Sequence, residues 1–303
     1  MSRKIKENNM HPRSQYPEIT SCKDETGEYI QFDRPKNFDI HKIFDCGQTF
    51  RFDPCENGVA GIAHDIYVHL VQDDKTVKIY GCTQEDYHSF FAHYLSLDRD
   101  YDEINNDIFS HFPKGVIQQA QASADGIRIL AQPLWETVCS FIISQNNNIP
   151  RIKKIITSLC ETYGDEIKCF DGKTRYTFPS ADKLILCGEE GLRELKTGFR
   201  AKYMIDAAEK WQAGIFEHFE TLSYDEAKAA LLSVKGIGEK VANCILLFSC
   251  EMYGAFPVDV WIKRVIDKYY GGELNTNSLG AYAGVAQQYL FYYERYINQK
   301  KDD

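Results

Sequence analysis

The sequence predicts an α+β protein in which an N-terminal antiparallel β-sheet domain is followed by an all-helical domain containing a helix-hairpin-helix. Three observations lead to this fold class. Strand-like segments alternate with polar turns between about residues 48 and 81, apolar residues then recur at helical steps, and two glycines stand between two predicted helices. With 303 residues, the chain is long enough for two domains.

The predicted sheet is made of four segments rich in Val, Ile, Tyr and Phe. They are QTFRF, GVAGIA, IYVHLV and TVKIYG, at 48–52, 58–63, 66–71 and 76–81. The turn-forming sequences DPCENG and QDDK separate them. Short connections join antiparallel neighbours, so we expect a meander. We assign residues 21–118 to this domain, together with some helices, and residues 1–20 to a flexible tail.

The predicted helices follow Leu97, where apolar residues recur every three or four positions. The segments are PLWETVCSFIISQ, IPRIKKIITSLCETYG, RAKYMIDAAEKW, SYDEAKAALLSV, EKVANCILLFSC and AGVAQQYLFYYERYI. Pro150 falls in the first turn of its helix, after the capping candidate Asn148, where its missing N–H costs nothing. We assign residues 119–303 to the helical domain.

Charge and cysteine content narrow the class of protein. The net charge of −9 argues mildly against a nucleic-acid partner, although the mostly basic runs RIKK at 151–154 and GLRELKTGFRAKY at 191–203 are either local patches or solvated helix faces. The ten cysteines include no C-x-x-C pair and follow no secretory leader, which indicates a reducing, intracellular location. No apolar run approaches about 20 residues, so we expect no membrane span.

The stretch VKGIG lies between two predicted helices. Ser223 and Glu226 form a capping box for the first helix, and the second begins near Glu239. Because the connection is so short, we expect Gly236 and Gly238 to supply backbone angles closed to other residues. Either the unpaired amides of the second helix face a phosphate, or the glycines serve only the packing of a helical corner.

Lys240 stands at the start of the second helix, and Cys244 and Phe248 follow at four-residue steps, so the three side chains share one stripe. Most other positions of this helix are apolar, and partial burial would favour a neutral, nucleophilic amine. Asp259, in a strand-like turn fixed by Pro257, supplies a carboxylate that can face a developing positive charge. A phosphate grip, an amine and a carboxylate suit attack on the anomeric carbon of a sugar.

The stretch LLSVKGIGEKVANCILLF, followed by PVDV, resembles the helix-hairpin-helix signature of the DNA glycosylase superfamily, which combines a Gly/Pro-rich loop with an essential aspartate. Other segments resemble one branch of it, the 8-oxoguanine DNA glycosylase/AP lyase family. They are GQTFRF, FIISQNNNIPRI, TGFRAKY and AYAGVAQQYLF, at 47–52, 141–152, 197–203 and 281–291. The similarity extends from about residue 40 to 292.

The resemblance implies a bifunctional enzyme that removes 8-oxoguanine from duplex DNA and cuts the strand. By this similarity, Lys240 attacks C1′ of the damaged nucleotide and forms a Schiff base that leads to β-elimination, and Asp259 stabilises the cationic sugar. Gly47 offers its backbone carbonyl to N7–H, a proton that 8-oxoguanine has and guanine lacks. A carbonyl facing the bare N7 of guanine sets an acceptor against an acceptor, so the wrong base is left unpaired.

The resemblance also implies the walls of the base pocket. Gln287 reads the Watson–Crick edge of the flipped base, and Phe291, four residues on along the same helix face, stacks on it with Cys244 on the other side. Gly236 and Gly238 of the hairpin hold a DNA phosphate. Without the resemblance, Phe291 would be interpreted as an ordinary core residue.

On the opposite strand, the resemblance implies four contacts. Asn146 fills the gap that the extruded base leaves, Arg151 and Arg200 contact the orphaned cytosine, and Phe199 wedges beside it. From the residues alone, an asparagine helix cap and solvent-facing arginines would be the simpler interpretation.

Two features depart from the family pattern. Trp261 stands where vertebrate-like members carry a histidine that helps to hold a phosphate, and the acidic net charge is unlike that of a typical DNA-binding protein. The histidine contact is therefore not carried over to this chain, and we expect modest DNA affinity confined to one face.

Two alternatives stay open: a glycosylase of the same superfamily for another base, and a non-catalytic hairpin protein. An iron–sulfur member is excluded because the last cysteine, Cys250, precedes Asp259, and Lys240 argues against an alkylbase glycosylase. We expect no metal or organic cofactor, apart from a monovalent cation on the hairpin carbonyls. The expected partner is double-stranded DNA with 8-oxoguanine opposite cytosine, bound by a monomer in the bacterial cytoplasm and nucleoid or the eukaryotic nucleus.

Overall fold

The computed structural model describes residues 16–113 and 115–298. Its N-terminal part contains six strands, β1 (Thr20–Lys23), β2 (Glu28–Asp33), β3 (Phe52–Cys55), β4 (Gly58–Ala63), β5 (Ile66–Gln72) and β6 (Thr76–Tyr80). They form one antiparallel sheet in the order β1-β2-β6-β5-β4-β3. The expected α+β architecture is confirmed.

Strands β3 to β6 form the predicted meander, each pairing with its neighbour along the chain. The structure corrects the expected first strand, which begins at Phe52 and includes Pro54 instead of ending before it. Proline is tolerated because β3 lies at the edge of the sheet, where a ladder donor can be missing. Strands β1 and β2 are additions to the predicted sheet, although β2 buries Ile30 and Phe32 at alternate positions.

The helices differ in length and are listed here in chain order. They are α1 (Ile40–Asp45), α2 (Gln84–Asp86), a π-helix (Tyr87–Phe91), α3 (Ala92–Tyr94), α4 (Tyr101–His111), α5 (Ile117–Ala124), α6 (Leu134–Ser144), α7 (Ile149–Tyr163), α8 (Ala181–Glu194), α9 (Ala201–Gln212), α10 (Tyr224–Leu232), α11 (Glu239–Ser249), α12 (Val260–Tyr270) and α13 (Ala283–Tyr292). Short 3₁₀ turns lie at Gly198–Arg200, Phe219–Thr221 and Thr276–Ser278, and a π-helical segment, Tyr293–Asn298, continues α13.

The capping signals of two helices are confirmed. Asn148 caps α7, where its side chain accepts a hydrogen bond from the Arg151 amide and Pro150 occupies the first turn. Ser223 and Glu226 form the capping box of α10, each side chain accepting from the other residue's amide. These ends are set by local chemistry, which explains why the sequence alone predicts them.

The region after Leu97 is not entirely helical, contrary to expectation. Strands β7 (Glu166–Lys168) and β8 (Thr174–Tyr176) form a hairpin between α7 and α8, and Gly188, at φ 68°, interrupts α8. Helices α4, α5, α8 and α12 are additions to the predicted helices of this region.

Two clusters of buried apolar side chains hold the fold together. One includes Val68 from the sheet and Leu130 from the segment before α6. The other lies among helices α4 to α13 and also includes Cys46 and Phe50, from the segment between α1 and β3. This segment therefore leaves the sheet cluster and places Gly47 beside the helices.

The N-terminal residues are only partly described. Residues 1–15 of the expected tail lie outside the described residues. Further along, the Tyr87 hydroxyl donates a hydrogen bond to the Pro17 carbonyl at 3.1 Å, and Thr20 begins β1. The division at residues 118 and 119 stays a prediction. Among the described residues, no helix has the length and apolar character needed to span a membrane.

An ion-pair cluster joins the segment at α3 to the loop after α11. His93 lies between two carboxylates, with Nε2 2.5 Å from Glu251 Oε1 and Nδ1 3.6 Å from Asp98 Oδ2. Arg99 also reaches Glu251, at 2.8 Å. Burial alone would lower the pKa of His93, but the two carboxylates outweigh it and raise the pKa to about 9. His93 is therefore a cation at neutral pH and ties the two segments together.

Candidate active site

The glycine hairpin connects α10 to α11, as predicted. Gly236 has φ +80°, a left-handed conformation, and a Cβ at this position would overlap the Tyr203 ring of α9. Gly238 does not need special angles: its φ of −100° and ψ of −180° are open to any residue, so that part of the prediction is wrong. A Cβ on Gly238 would meet no heavy atom within 4 Å, which leaves the start of α11 uncovered.

Asp206 of α9 binds the hairpin at Lys235. It accepts a hydrogen bond from the Lys235 amide at 2.8 Å, pairs with Lys235 Nζ at 3.1 Å, and pairs with Lys210 at 2.7 Å. Burial would raise the pKa of Asp206, but these hydrogen bonds outweigh it and lower the pKa. The carboxylate therefore stays charged and fixes the hairpin on α9.

Lys240 is half-buried near the start of α11. Its Nζ lies 5.6 Å from the centroid of the Phe141 ring, and Phe141 stacks on Phe248 at 5.4 Å. None of the ion pairs found in the described part of the chain involves Lys240, whereas neighbouring Lys228 is paired with Glu239 at 2.6 Å. The Lys240 amine is thus placed over an aromatic surface and left without a carboxylate partner, an arrangement that suits a nucleophile.

Lys240 and Asp259 converge on the buried thiol of Cys244. Burial raises the pKa of Cys244, the Lys240 amine opposes that rise, and the Asp259 carboxylate adds to it. Asp259 caps α12, and its Oδ1 accepts hydrogen bonds from the amides of Trp261 at 3.0 Å and Ile262 at 2.9 Å. The charges of the predicted amine and carboxylate therefore both act on this one buried thiol.

A cleft of about 370 Å³ opens beside Lys240. It lies between α10, α11 and the segment before α12, and its lining includes Tyr224, Asn243 and Val258. The Tyr224 hydroxyl donates to Asn243 Oδ1 at 2.7 Å, which joins α10 to α11 across its floor. The lysine is therefore accessible from outside the protein.

Gly47 lies beside the side chains of Phe291 and Ile149. A Cβ on Gly47, whose φ is +80°, would lie 3.6 Å from Phe291 Cε1 and 3.4 Å from Ile149 Cδ1. Gln287, one helical turn before Phe291, is buried, and its Oε1 accepts no hydrogen bond from any of the described residues. A buried acceptor without a donor is costly, so this oxygen is suited to receive a donor from a ligand.

Two aromatic rings lie between the Gly47 segment and Lys240. Phe50, three residues after Gly47, meets Phe141 edge to face with ring centroids 5.8 Å apart, and Lys240 lies over the same Phe141 ring. Lys240 and Phe50 of the Gly47 segment therefore contact the same ring, that of Phe141.

The four residues predicted for the opposite strand lie together around the turn between α6 and α7. Asn146 occupies that turn with φ 48°, Arg151 is exposed at the start of α7, and Phe199 is 44% exposed. Arg200 differs from the other three because it is only 2% exposed. It donates hydrogen bonds to the carbonyls of Gln145 at 2.8 Å, Asn146 at 2.9 Å and Thr197 at 3.1 Å.

Arg200 therefore fixes the turn that carries Asn146, with most of its N–H groups already in use. Burial and the nearby charge of Arg151 lower the pKa of Arg200. Cation–π contact with Phe199, at 4.5 Å, keeps that ring beside the turn. Of the two arginines, Arg151 is the exposed one, and it donates one hydrogen bond, to the Lys196 carbonyl at 3.5 Å.

Three residues of the site were not predicted from the sequence. Tyr203 packs where a Gly236 side chain would be, Asp206 binds the hairpin, and Phe141 lies under the lysine. The only signal for Asp206 is its position on the apolar face of α9, where a carboxylate requires a partner.

The match to family models agrees with this geometry. Residues 139–278 match the model of the HhH-GPD superfamily base excision DNA repair proteins, in which a helix-hairpin-helix is followed by a Gly/Pro-rich loop and an aspartate. A DNA glycosylase of this class is defined by the hairpin, the lysine that follows it in the sequence and the aspartate that caps α12. Residues 31–138 match the N-terminal domain of 8-oxoguanine DNA glycosylase. The chain belongs to the 8-oxoguanine DNA glycosylase/lyase family.

Sequence similarity to two other proteins supports the same family. The chain is 30% identical over 278 residues to the N-glycosylase/DNA lyase OGG1 of Arabidopsis thaliana, covering 82% of this chain and 75% of that one. It is 40% identical over 173 residues to the N-glycosylase/DNA lyase of Saccharomyces cerevisiae, a match that spans 53% of this chain and 46% of the yeast chain.

A solved structure is similar over nearly the whole chain. The 8-oxoguanine glycosylase/lyase of Clostridium acetobutylicum, in complex with double-stranded DNA containing cytosine opposite 8-oxoguanine, is 36% identical with a TM-score of 0.85. The similarity covers 93% of this chain and 99% of that one.

Proposed function

We propose that this protein is a bifunctional DNA glycosylase/AP lyase that removes 8-oxoguanine from duplex DNA and then cuts the strand. The observation that carries this proposal is the position of Lys240, whose amine lies over Phe141 and beside the buried Cys244. A free amine at this place is the group that a lyase needs and that a glycosylase acting with water alone does not.

In the proposed reaction, the neutral Lys240 amine attacks C1′ of the damaged nucleotide. The C1′–N9 bond breaks, and its electron pair leaves with the base, which takes up a proton. The attached amine then loses one proton, and its lone pair forms the C1′–N double bond as the bond from C1′ to the ring oxygen breaks. The ring oxygen keeps that electron pair and takes up a proton, which leaves a protonated C1′ imine, the Schiff base. Removal of a proton from C2′ expels the 3′ phosphate by β-elimination.

Asp259 stabilises the positive charge that develops on the sugar as the base leaves. Two amides of α12 hold its carboxylate, so little reorganisation is needed when the charge appears. Asp259 and Lys240 both shift the pKa of the Cys244 thiol, which supports a role for the two groups at the same site.

Base selection is assigned to Gly47, Gln287 and Phe291. Phe291 stacks on the flipped base, and the unpartnered Oε1 of Gln287 accepts a donor from its Watson–Crick edge. The Gly47 carbonyl accepts N7–H of 8-oxoguanine and has nothing to accept from guanine.

Cytosine opposite the lesion is read chiefly by Arg151, with Asn146 and Phe199 filling the space around it. The buried Arg200 supports this role by fixing the backbone at Asn146. This differs from the sequence-based expectation, in which both arginines contact the cytosine.

The test is incubation of the protein with duplexes that carry 8-oxoguanine opposite each normal base, and with duplexes carrying 3-methyladenine. The proposal predicts free 8-oxoguanine and a β-elimination product, fastest opposite cytosine. Release of 3-methyladenine alone would favour the alternative of a glycosylase for another base. Binding of all duplexes without any product would favour a non-catalytic hairpin protein. Since the substrate is genomic DNA, we place the enzyme in the bacterial nucleoid or the eukaryotic nucleus.

A further inference from the structure

The backbone just before Gly47 is held by the C-terminal helical segment. Gln288 of α13 is 3% exposed, and its Nε2 donates a hydrogen bond to the Cys46 carbonyl at 2.7 Å. The Tyr296 hydroxyl donates to the preceding carbonyl, that of Asp45, also at 2.7 Å. Two consecutive carbonyls are therefore bound by side chains of residues 242 and 251 positions further along the chain.

The backbone just after Gly47 is held from the other side. Gln48 is fully buried, and its side chain donates to the carbonyls of Ile43 at 2.9 Å and Arg128 at 2.8 Å while accepting from the Leu130 amide at 2.9 Å. The Gln48 carbonyl accepts from Gln132 Nε2 at 2.7 Å.

These bonds fix two peptide planes, the one before and the one after the plane that contains the Gly47 carbonyl. The peptide between Gly47 and Gln48 sets the direction of that carbonyl. Glycine at φ +80° gives little steric resistance to rotation of this peptide. The orientation of the carbonyl must therefore come from the hydrogen bonds of its neighbours.

We propose that Gln288 is a positioning residue for lesion discrimination, which acts by holding the Gly47 carbonyl in line with the base. This inference rests on the proposed function. Gln288 follows Gln287 directly on α13, about 100° around the helix, so one helix carries the base reader, the clamp on Cys46 and the stacking Phe291. The Gly47 carbonyl is thereby set relative to the two residues that hold the base.

The test measures binding, with Lys240→Gln as the background so that DNA is not cut. Gln288→Met keeps the volume of the side chain but removes its donor. It is compared on duplexes that carry 8-oxoguanine or 7-deaza-8-oxoguanine, in which a C7 methylene group replaces N7–H, each opposite cytosine. We expect the substitution to weaken 8-oxoguanine binding by about tenfold, the loss of one buried hydrogen bond, and to leave 7-deaza-8-oxoguanine binding within about twofold.

Tyr289→Phe is the matched control. Tyr289, the next residue of α13, is also buried. The substitution removes its hydrogen bond to Asn105 Oδ1, which is of similar length, 3.0 Å, and does not involve the Gly47 segment. It should bind both duplexes like the background. Tyr296→Phe, which alters an accessible hydroxyl, is a second probe of the clamp that preserves the core. It should weaken 8-oxoguanine binding by about threefold without affecting the 7-deaza duplex.

The outcomes separate the inference from the proposed function. If the Lys240→Gln protein prefers 8-oxoguanine to guanine, but Gln288→Met and Tyr296→Phe weaken the 8-oxoguanine and 7-deaza duplexes equally or not at all, the inference is overturned and the function stands. If Gln288→Met fails to fold, the Tyr296→Phe comparison decides in the same way. If the unaltered protein neither prefers nor releases 8-oxoguanine, the proposed function fails, and the inference fails with it.

Discussion

The two glycines of the hairpin provide a matched pair of substitutions, Gly236→Ala and Gly238→Ala. They add the same methyl group two residues apart. Gly236 is left-handed, and its new Cβ would overlap the Tyr203 ring, whereas Gly238 is extended and its new Cβ would meet no heavy atom within 4 Å. We expect the first substitution to destabilise the protein and the second to leave its stability nearly unchanged.

The magnitude follows from two physical effects at Gly236. An L-residue in the left-handed conformation costs about 1 to 2 kcal/mol, and forcing a methyl group into a filled space costs about 1 to 3 kcal/mol. Gly236→Ala should therefore lower the free energy of unfolding by about 2 to 5 kcal/mol, less if the Tyr203 ring can move. Gly238→Ala should change it by about 0.5 kcal/mol or less, since its angles suit alanine.

The assay is urea unfolding at fixed pH, followed by circular dichroism, for the parent and both variants. Binding of undamaged duplex DNA at one salt concentration is measured for the variants that stay folded. We expect Gly238→Ala to retain the parent's stability while binding duplex DNA more weakly, because the methyl group projects into the space in which a phosphate would lie. Equal stabilities of the two variants would refute the assigned roles of Tyr203 and the left-handed glycine.

Four further substitutions test other parts of the structure. Phe291→Ala should weaken binding of 8-oxoguanine DNA by about 1 to 3 kcal/mol, the value of one base–aromatic stack, without changing incision at a preformed abasic site; unchanged 8-oxoguanine binding would exclude it from the pocket. Arg151→Ala should raise cleavage opposite adenine relative to cytosine. Arg200→Ala should have the same effect and should also lower the melting temperature. If both variants keep the parent's opposite-base profile, the assignment of these arginines is contradicted. Because the pKa of His93 is raised from its ordinary 6.5 to about 9, its stabilising effect is complete below pH 6.5 and is lost as the pH rises through about 9. Urea titrations at pH 6 and pH 9.5 should show His93→Gln removing about 3 kcal/mol of this pH dependence, and an unchanged pH dependence would show that Glu251 does not stabilise the cation.

Features of the fold that depend on local chemistry could be predicted from the sequence. The cap at Asn148 and the capping box at Ser223 need only residues three positions away, and the strand pattern at β4 to β6 needs only alternation. The predicted bounds of β3 differ from the observed ones because Pro54 suggests a turn. Proline is tolerated there only because β3 is an edge strand, which the sequence alone does not show.

Features of the site that depend on distant partners could not be predicted. Arg200 has the sequence context of a surface residue, but two of its partners, the carbonyls of Gln145 and Asn146, lie about 55 positions away in the turn between α6 and α7. Gln288 looks like any polar helix residue until Cys46 is placed beside it. Gly238 follows the glycine pattern of the hairpin, yet it is Gly236 that carries the conformational requirement.

The central claim is that Lys240 is the nucleophile, and borohydride trapping tests it most directly. Sodium borohydride reduces a Schiff base to a stable amine, so the unaltered protein should become covalently attached to DNA containing 8-oxoguanine. Lys240→Gln keeps the length and polarity of the side chain without the amine, and it should abolish trapping while duplex binding is largely retained. Undiminished trapping by this variant would contradict the account and direct attention to Lys235, whose amine is paired with Asp206 at 3.1 Å in the present structure.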